Sequence, residues 1–259
     1  MNSNWLCNVL LAKGSEDLFV QPYVQPQVSF GSRKITGVEV LGRIMNRITG
    51  NCISPCDFMP LMRKYDLGYM FTLQLIEKTI SDFALCNMYD IPISINIDNC
   101  LIENTRFIEH LIQLLTSQNV FSMNLITVEI TEHEYCRSPS KASAIKLIKH
   151  HGMKVSLDDF GTGYSTFEEL LSFGYDEVKI DREIITNFNR KPMFKKLLEQ
   201  LDCITKNTNI KVVAEGIENE QLISSIKSFN VDMLQGFYFH KPMPIKSFSN
   251  VYLDQMYSS

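Results

Sequence analysis

The chain alternates short β-branched or apolar runs with longer stretches of helical spacing. That rhythm constrains the fold more than any other feature. Runs at 18–28, 35–44, 91–98, 125–132, 154–159, 176–181, 210–216 and 233–239 read as eight strands. Between and after them, helices are expected at 57–87, 102–117, 139–151, 165–173, 183–207, 219–229 and 245–256. The stretch "KLIKHHG" places basic residues in a last helical turn and Gly152 as its stop, so His150 and His151 read as helix-terminal cations. Repeated strand–helix alternation implies parallel strands, and eight units imply a closed barrel. One connection departs from the rule. Only "SFGSRK" separates the first two runs, too short for a parallel crossover, so this pair should be an antiparallel hairpin. The expected fold is a modified TIM (β/α)8 barrel with one antiparallel strand near the N-terminus.

The 259 residues show no Pro/Gly/Ser-rich linker, charge block or tandem repeat, and read as a single domain over 1–259 with its core at about 18–245. A hydrophobic content of 45% supplies a sizeable core, and a net charge of −4 argues against nucleic acid or an anionic membrane as a general partner. No apolar run reaches the ~18 residues of a membrane span. The seven cysteines form neither a disulfide framework nor a zinc pattern, and read as reduced thiols of a cytoplasmic protein.

Polar residues recur where the runs end. Glu39 and then Arg43 lie on the second, Asn96 on the third, Glu129 and Glu132 on the fourth, and Asp158 and Asp159 on the fifth. Lys179 follows on the sixth, Glu215 and Glu218 on the seventh, and Gln235 near the start of the eighth. In a parallel barrel the C-terminal strand ends form one rim, where barrel enzymes place their chemistry. The pair in "SLDDFGTGYS" could by itself open a turn. Five converging carboxylates, Glu39, Glu129, Asp158, Asp159 and Glu215, are harder to explain as packing, because buried uncompensated charge costs several kcal/mol per ion. Divalent cations would relieve it, and carboxylate and amide oxygens without Cys or His suit Mg²⁺ or Mn²⁺ better than Zn²⁺. The glycine-rich loop after the Asp pair then reads as a gate over the site.

The segments "GVEVLGR", "SINID", "TVEITE", "SLDDFGTGYSTFEEL", "DEVKID", "VVAEGIEN" and "LQGFYFHKPMP" resemble, in order, the signatures of EAL-domain cyclic-di-GMP phosphodiesterases over about 18–245. The name-giving triplet is Glu39-Val40-Leu41 here. The resemblance implies metal ligation by Glu39, Asn96, Glu129, Asp158 and Asp159, with two Mg²⁺ or Mn²⁺ ions per site and Ca²⁺ inhibitory. It also implies that Lys179 orients the attacking water and that Glu215 and Gln235 complete the metal and water shell. Gln25 and Arg43 match substrate-contacting positions, with Gln235 beside them. Glu132 matches an acid that anchors the gating loop, and Glu218 a further acid of the same motif as Glu215. Two departures stand out: Ile44 where an aromatic is usual, and Met62-Arg63 where Ala-Glu is frequent. Neither touches the implied metal set.

Two divalent ions roughly 3.5–4 Å apart can activate a water for in-line displacement at phosphorus, and the resemblance implies that the substrate is cyclic di-GMP and the product linear pGpG. The resemblance also implies a homodimer paired through about 165–188. Two other classes stay open: a non-catalytic EAL module that binds cyclic di-GMP or a regulatory protein, and an unrelated barrel hydrolase such as a two-carboxylate glycosidase. The second has no need of Lys179 beside an adjacent Asp pair.

Overall fold

A computed structural model gives the architecture, and residues 18–118, 120–131, 139–161 and 167–257 are described. Strands β1 (Leu18–Ser29) and β2 (Ile35–Asn46) form the expected antiparallel hairpin, with Gln25 opposite Glu39. A short β3 (Cys52–Ile53) extends β2 at its outer end. The remaining barrel strands are β4 (Ile93–Asp98), β5 (Ile126–Thr131), β6 (Lys154–Phe160), β7 (Glu177–Ile180), β8 (Lys211–Ala214) and β9 (Met233–Gln235), with a two-residue β10 (Met243–Pro244) beside β1. Pairing runs β1-β9-β8-β7-β6-β5-β4-β2 and closes through β1–β2. β1 is antiparallel to both neighbours, and the other pairings around the ring are parallel. The barrel is therefore the modified TIM form expected from the short first connection.

Alternation sorts the strand residues. Ile93, Ile95 and Ile97 on β4, Ile126, Val128 and Ile130 on β5, and Val155 and Leu157 on β6 are buried in the hydrophobic core. The intervening positions, among them Ser94, Asn96, Thr127, Glu129, Ser156 and Asp158, turn inward, so the barrel interior is unusually polar.

Two long expected helices are broken. The stretch 57–87 forms α1 (Pro55–Lys64) and α2 (Gly68–Leu85), because Asp66 turns left-handed with φ 52 and the Leu67 amide closes on the Met62 carbonyl. The stretch 183–207 forms α7 (Arg182–Asn187) and α8 (Pro192–Lys206); Pro192 cannot continue a helix and opens a new one. Between these pairs lie α3 (Asn99–Ile102), α4 (Thr105–Gln118), α5 (Pro139–His150) and α6 (Phe167–Ser172). The chain continues through α9 (Glu220–Ile226) and ends in α10 (Ile245–Tyr257). The last barrel strand stops at Gln235 rather than running to 239. At Gly236 the backbone passes so close to Ile217 that a Cβ would sit 2.1 Å from the Ile217 carbonyl oxygen. A fully buried ion pair, Lys141 Nζ–Glu169 Oε1 at 2.5 Å, ties α5 to α6.

Candidate active site

The two adjacent carboxylates owe their position to a bulge. β6 and β7 pair at Leu157–Val178 and again at Phe160–Ile180, so Asp158 and Asp159 together oppose the single residue Lys179. Consecutive strand residues normally face opposite sides; the extra residue bends the strand and lets both acids reach the rim. Asp159 takes up the distortion in the left-handed region, φ 54, a conformation that Asp tolerates better than most side chains.

Lys179 is the centre of the site. Its ammonium lies 2.7 Å from Glu215, 2.8 Å from Glu129, and 3.2 Å from both Glu39 and Asp158. Those partners come from β2, β5, β6 and the turn after β8, which meet only inside the barrel mouth. The Lys side chain is 1% exposed and Glu129 0%. Burial opposes its charge, but Asp158, Glu129, Glu215 and Glu39 outweigh that and hold Lys179 well above its ordinary value.

Glu39 is held from three sides. Asn96 Nδ2 donates to Oε1 at 2.5 Å, Gln235 Nε2 to Oε2 at 2.5 Å, and Lys179 to Oε2. Burial raises Glu39, yet Lys179 and the two amides prevail and lower it below the usual carboxylate value. Gln27, which the sequence reading did not single out, sits opposite Gln235 across β1 and β9. Its Nε2 donates to Gln235 Oε1 at 3.0 Å, which turns the Gln235 amide N–H toward Glu39. Gln25 accepts from Gln235 at 3.3 Å and donates to the His240 carbonyl at 3.1 Å. Sequence alone gave Gln27 no signal, because it is one more inward polar residue of a hairpin strand.

The other acids behave differently. Burial drives Glu129 well above its ordinary value, with Glu39 and Asp158 adding and Lys179 opposing. Burial, reinforced by Asp158 and Asp181, holds Asp159 up at about 6. Burial also holds Glu215 up at about 8, with Lys179 opposing and Asp158 and Glu39 adding. Carboxylate oxygens of Asp158, Asp159 and Glu215 lie within 4.8 Å of one another. Glu129 Oε1 is buried without a hydrogen-bond partner among the described residues, and Asp158 Oδ1 has only its 3.2 Å ion-pair contact with Lys179. Oxygen-only donors, raised acid values and an unsatisfied carboxylate oxygen fit a hard divalent cation.

Two cavities share the rim, with Leu41 lining both. The one of ≈ 370 Å³ holds Gln25, Glu39, Asp158, Asp159, Lys179, Glu215, Glu218 and Gln235. Arg43 and Asn96 line the other, ≈ 810 Å³, which has an apolar wall of Phe58, Met62, Phe71 and Leu75. The Arg43 guanidinium donates to the Gly42 carbonyl and lies 5.5 Å from the Tyr23 ring centroid. Burial pulls it below its ordinary value. At the positions that depart from the family pattern, Ile44 and Met62 are buried and Arg63 pairs loosely with Asp98 at 3.8 Å. Glu132 lies outside the described residues.

No helix among the described residues is long and apolar enough to cross a membrane. The chain is 28% identical over 228 residues to the probable cyclic di-GMP phosphodiesterase PdeG of Escherichia coli, covering 86% of this chain and 45% of that protein. It is 26% identical over 241 residues to the cyclic di-GMP phosphodiesterase PA2567 of Pseudomonas aeruginosa, covering 92% and 40%. It thus spans under half the length of these relatives. The fold superposes on an EAL domain protein from Listeria monocytogenes with a TM-score of 0.82 at 24% identity, over 97% of this chain and 98% of that one. Residues 13–242 match the EAL domain, and this chain belongs to the EAL domain family.

Proposed function

We propose that the chain is a metal-dependent phosphodiesterase that hydrolyses cyclic di-GMP to linear pGpG. The observation that carries this reading is the buried acid cluster around Lys179 at the barrel rim, in which four carboxylates share one cation and Glu129 Oε1 is left without a partner among the described residues. The substrate is that of the named phosphodiesterases PdeG and PA2567.

Asp158, Asp159 and Glu215 would hold one divalent ion, and Glu39, Asn96 and Glu129 would share in holding a second. Bound Mg²⁺ or Mn²⁺ supplies charge stabilisation at the phosphoryl oxygens and a water of lowered pKa. The protein contributes orientation. Gln27 fixes Gln235, Gln235 and Asn96 fix Glu39, and Lys179 presents a permanent cation that positions the attacking water and offsets charge developing at phosphorus. Arg43 and Gln25 contact the substrate from the two cavities. Ca²⁺ would enter the same oxygen cage, but its larger and looser shell supports little turnover. The same reading takes the chain as one EAL-type domain that works as a homodimer.

The test is direct: incubate the purified protein with cyclic di-GMP and Mg²⁺ or Mn²⁺, and assay for pGpG. Glu39→Ala should cost most of the turnover while leaving the fold intact. Wild-type turnover in that variant would refute the site. The competing reading, a non-catalytic module that binds cyclic di-GMP or a protein partner, draws on one feature: the Lys179 ammonium contacts all four acids and offsets part of their charge by itself. Binding of cyclic di-GMP without product would favour it.

A further inference from the structure

The cavity of ≈ 370 Å³ is strongly acidic. Glu39, Asp158, Asp159, Glu215 and Glu218 line it against two cations, Lys179 and Arg182. Lys179 is 1% exposed and engaged by four carboxylates. The Arg182 side chain is 59% exposed. Among the described lining residues, its guanidinium is therefore the cation that an incoming anion meets first.

Arg182 is also located rather than loose. Its stem lies against the bare backbone of Gly216, the residue after Glu215. A Cβ on Gly216 would fall 2.2 Å from Arg182 Cγ and 2.4 Å from its Cβ, and Gly216 has φ +65, so glycine is required there twice over. The packing fixes the root of the side chain beside the acid cluster. Its tip is held by Glu218, with Nη2–Oε1 at 2.7 Å and Glu218 itself 42% exposed. A pair this exposed contributes little to stability. A guanidinium on a phosphate forms a stronger, two-pronged contact.

We propose that Arg182 is a substrate-positioning residue whose guanidinium rests on Glu218 in the free protein and transfers to a phosphate oxygen of the bound dinucleotide. The proposal rests on the phosphodiesterase reading and assigns Glu218 a second role, as competitor for the same guanidinium. It predicts opposite signs for the two partners, which a merely structural ion pair would not give.

The experiment is a double-mutant cycle read as KM and kcat for cyclic di-GMP, with thermal melts to confirm folding. Arg182→Gln keeps the stem on Gly216; it should raise KM about tenfold with kcat changed by less than about threefold. Arg182→Lys, which keeps charge but loses the fork, should fall between. Glu218→Gln should lower KM, by about threefold, and this gain should vanish in the Arg182→Gln background. Equal increases in KM for both single variants, or an unchanged KM in Arg182→Gln, would overturn the role of Arg182 while leaving the phosphodiesterase reading intact. If the wild type binds without turnover, Kd by calorimetry replaces KM with the same expected signs. If it neither hydrolyses nor binds cyclic di-GMP, the reading and the proposal fall together.

Discussion

Replacing Lys179 with Met removes one charge from the site with little change in volume, and the consequence can be worked out from the geometry. The ammonium lies within 3.2 Å of Glu39, Glu129, Asp158 and Glu215 and is essentially inaccessible to water. Removing one partner of a buried ionic cluster leaves uncompensated charge and costs about 3–5 kcal/mol. At ~2–4 °C per kcal/mol for a domain of this size, the metal-free variant should melt about 6–20 °C below the parent. The defect should shrink as the pH falls toward 5. Glu215, held up at about 8, and Glu129, also raised by burial, take up protons as the pH falls and so reduce the uncompensated charge. Millimolar Mn²⁺ should raise the melting temperature of Lys179→Met more than that of the parent, since a divalent ion supplies the missing charge. Turnover should stay low, with kcat falling far more than KM rises. The assay is differential scanning fluorimetry in EDTA and in Mn²⁺, across pH, beside steady-state kinetics. A metal-free Lys179→Met that melts within about 2 °C of the parent would refute the argument that Lys179 holds the acids together.

Metal uptake has a definite pH sign. Asp159 at about 6 and Glu215 at about 8 both stand above their unfolded values, so proton binding stabilises the metal-free fold fully below about pH 4 and that contribution is lost as the pH rises to about 8. A divalent ion must displace the same protons, so the thermal upshift given by Mn²⁺ should grow from about pH 5.5 to 8.5; a flat or falling shift would contradict it. Gln27→Ala should leave the fold intact yet release the Gln235 amide, and a fall in kcat of at least about threefold with little change in KM would mark the relay to Glu39 as functional. Gly236→Ala should destabilise by about 1–3 kcal/mol or more, seen as a lower melting temperature, because its Cβ would meet the Ile217 backbone at 2.1–2.6 Å, where no side chain can yield.

The sequence by itself determined the barrel and most of its rim. Alternation is a local signal, and a linker as short as "SFGSRK" excludes a parallel crossover whatever the rest of the chain does. The site residues were legible for the same reason: Asn96, Glu129, Asp158, Lys179 and Glu215 each lie at or near the end of an apolar run, Glu39 lies within one, and closure of the ring then brings them together. The helix breaks at Asp66 and Pro192 carried local marks that the longer helical spacing outweighed.

What only the tertiary structure decided is relational. The sequence shows two adjacent aspartates. That they share a face depends on a bulge opposite Lys179, which is set by pairing with a strand about 20 residues away. Gln27 became part of the site through its register with Gln235 across β1 and β9, separated by 208 residues. Arg182 follows a strand in an ordinary helix start, and only the backbone of Gly216 against its stem places it at the cavity mouth. The same holds for the acid values: burial raises both Glu39 and Glu215, but Lys179 and the Gln235 and Asn96 amides reverse it at Glu39 while burial prevails at Glu215. Side-chain chemistry is written locally, but the field and packing that direct it come from residues far away in the chain.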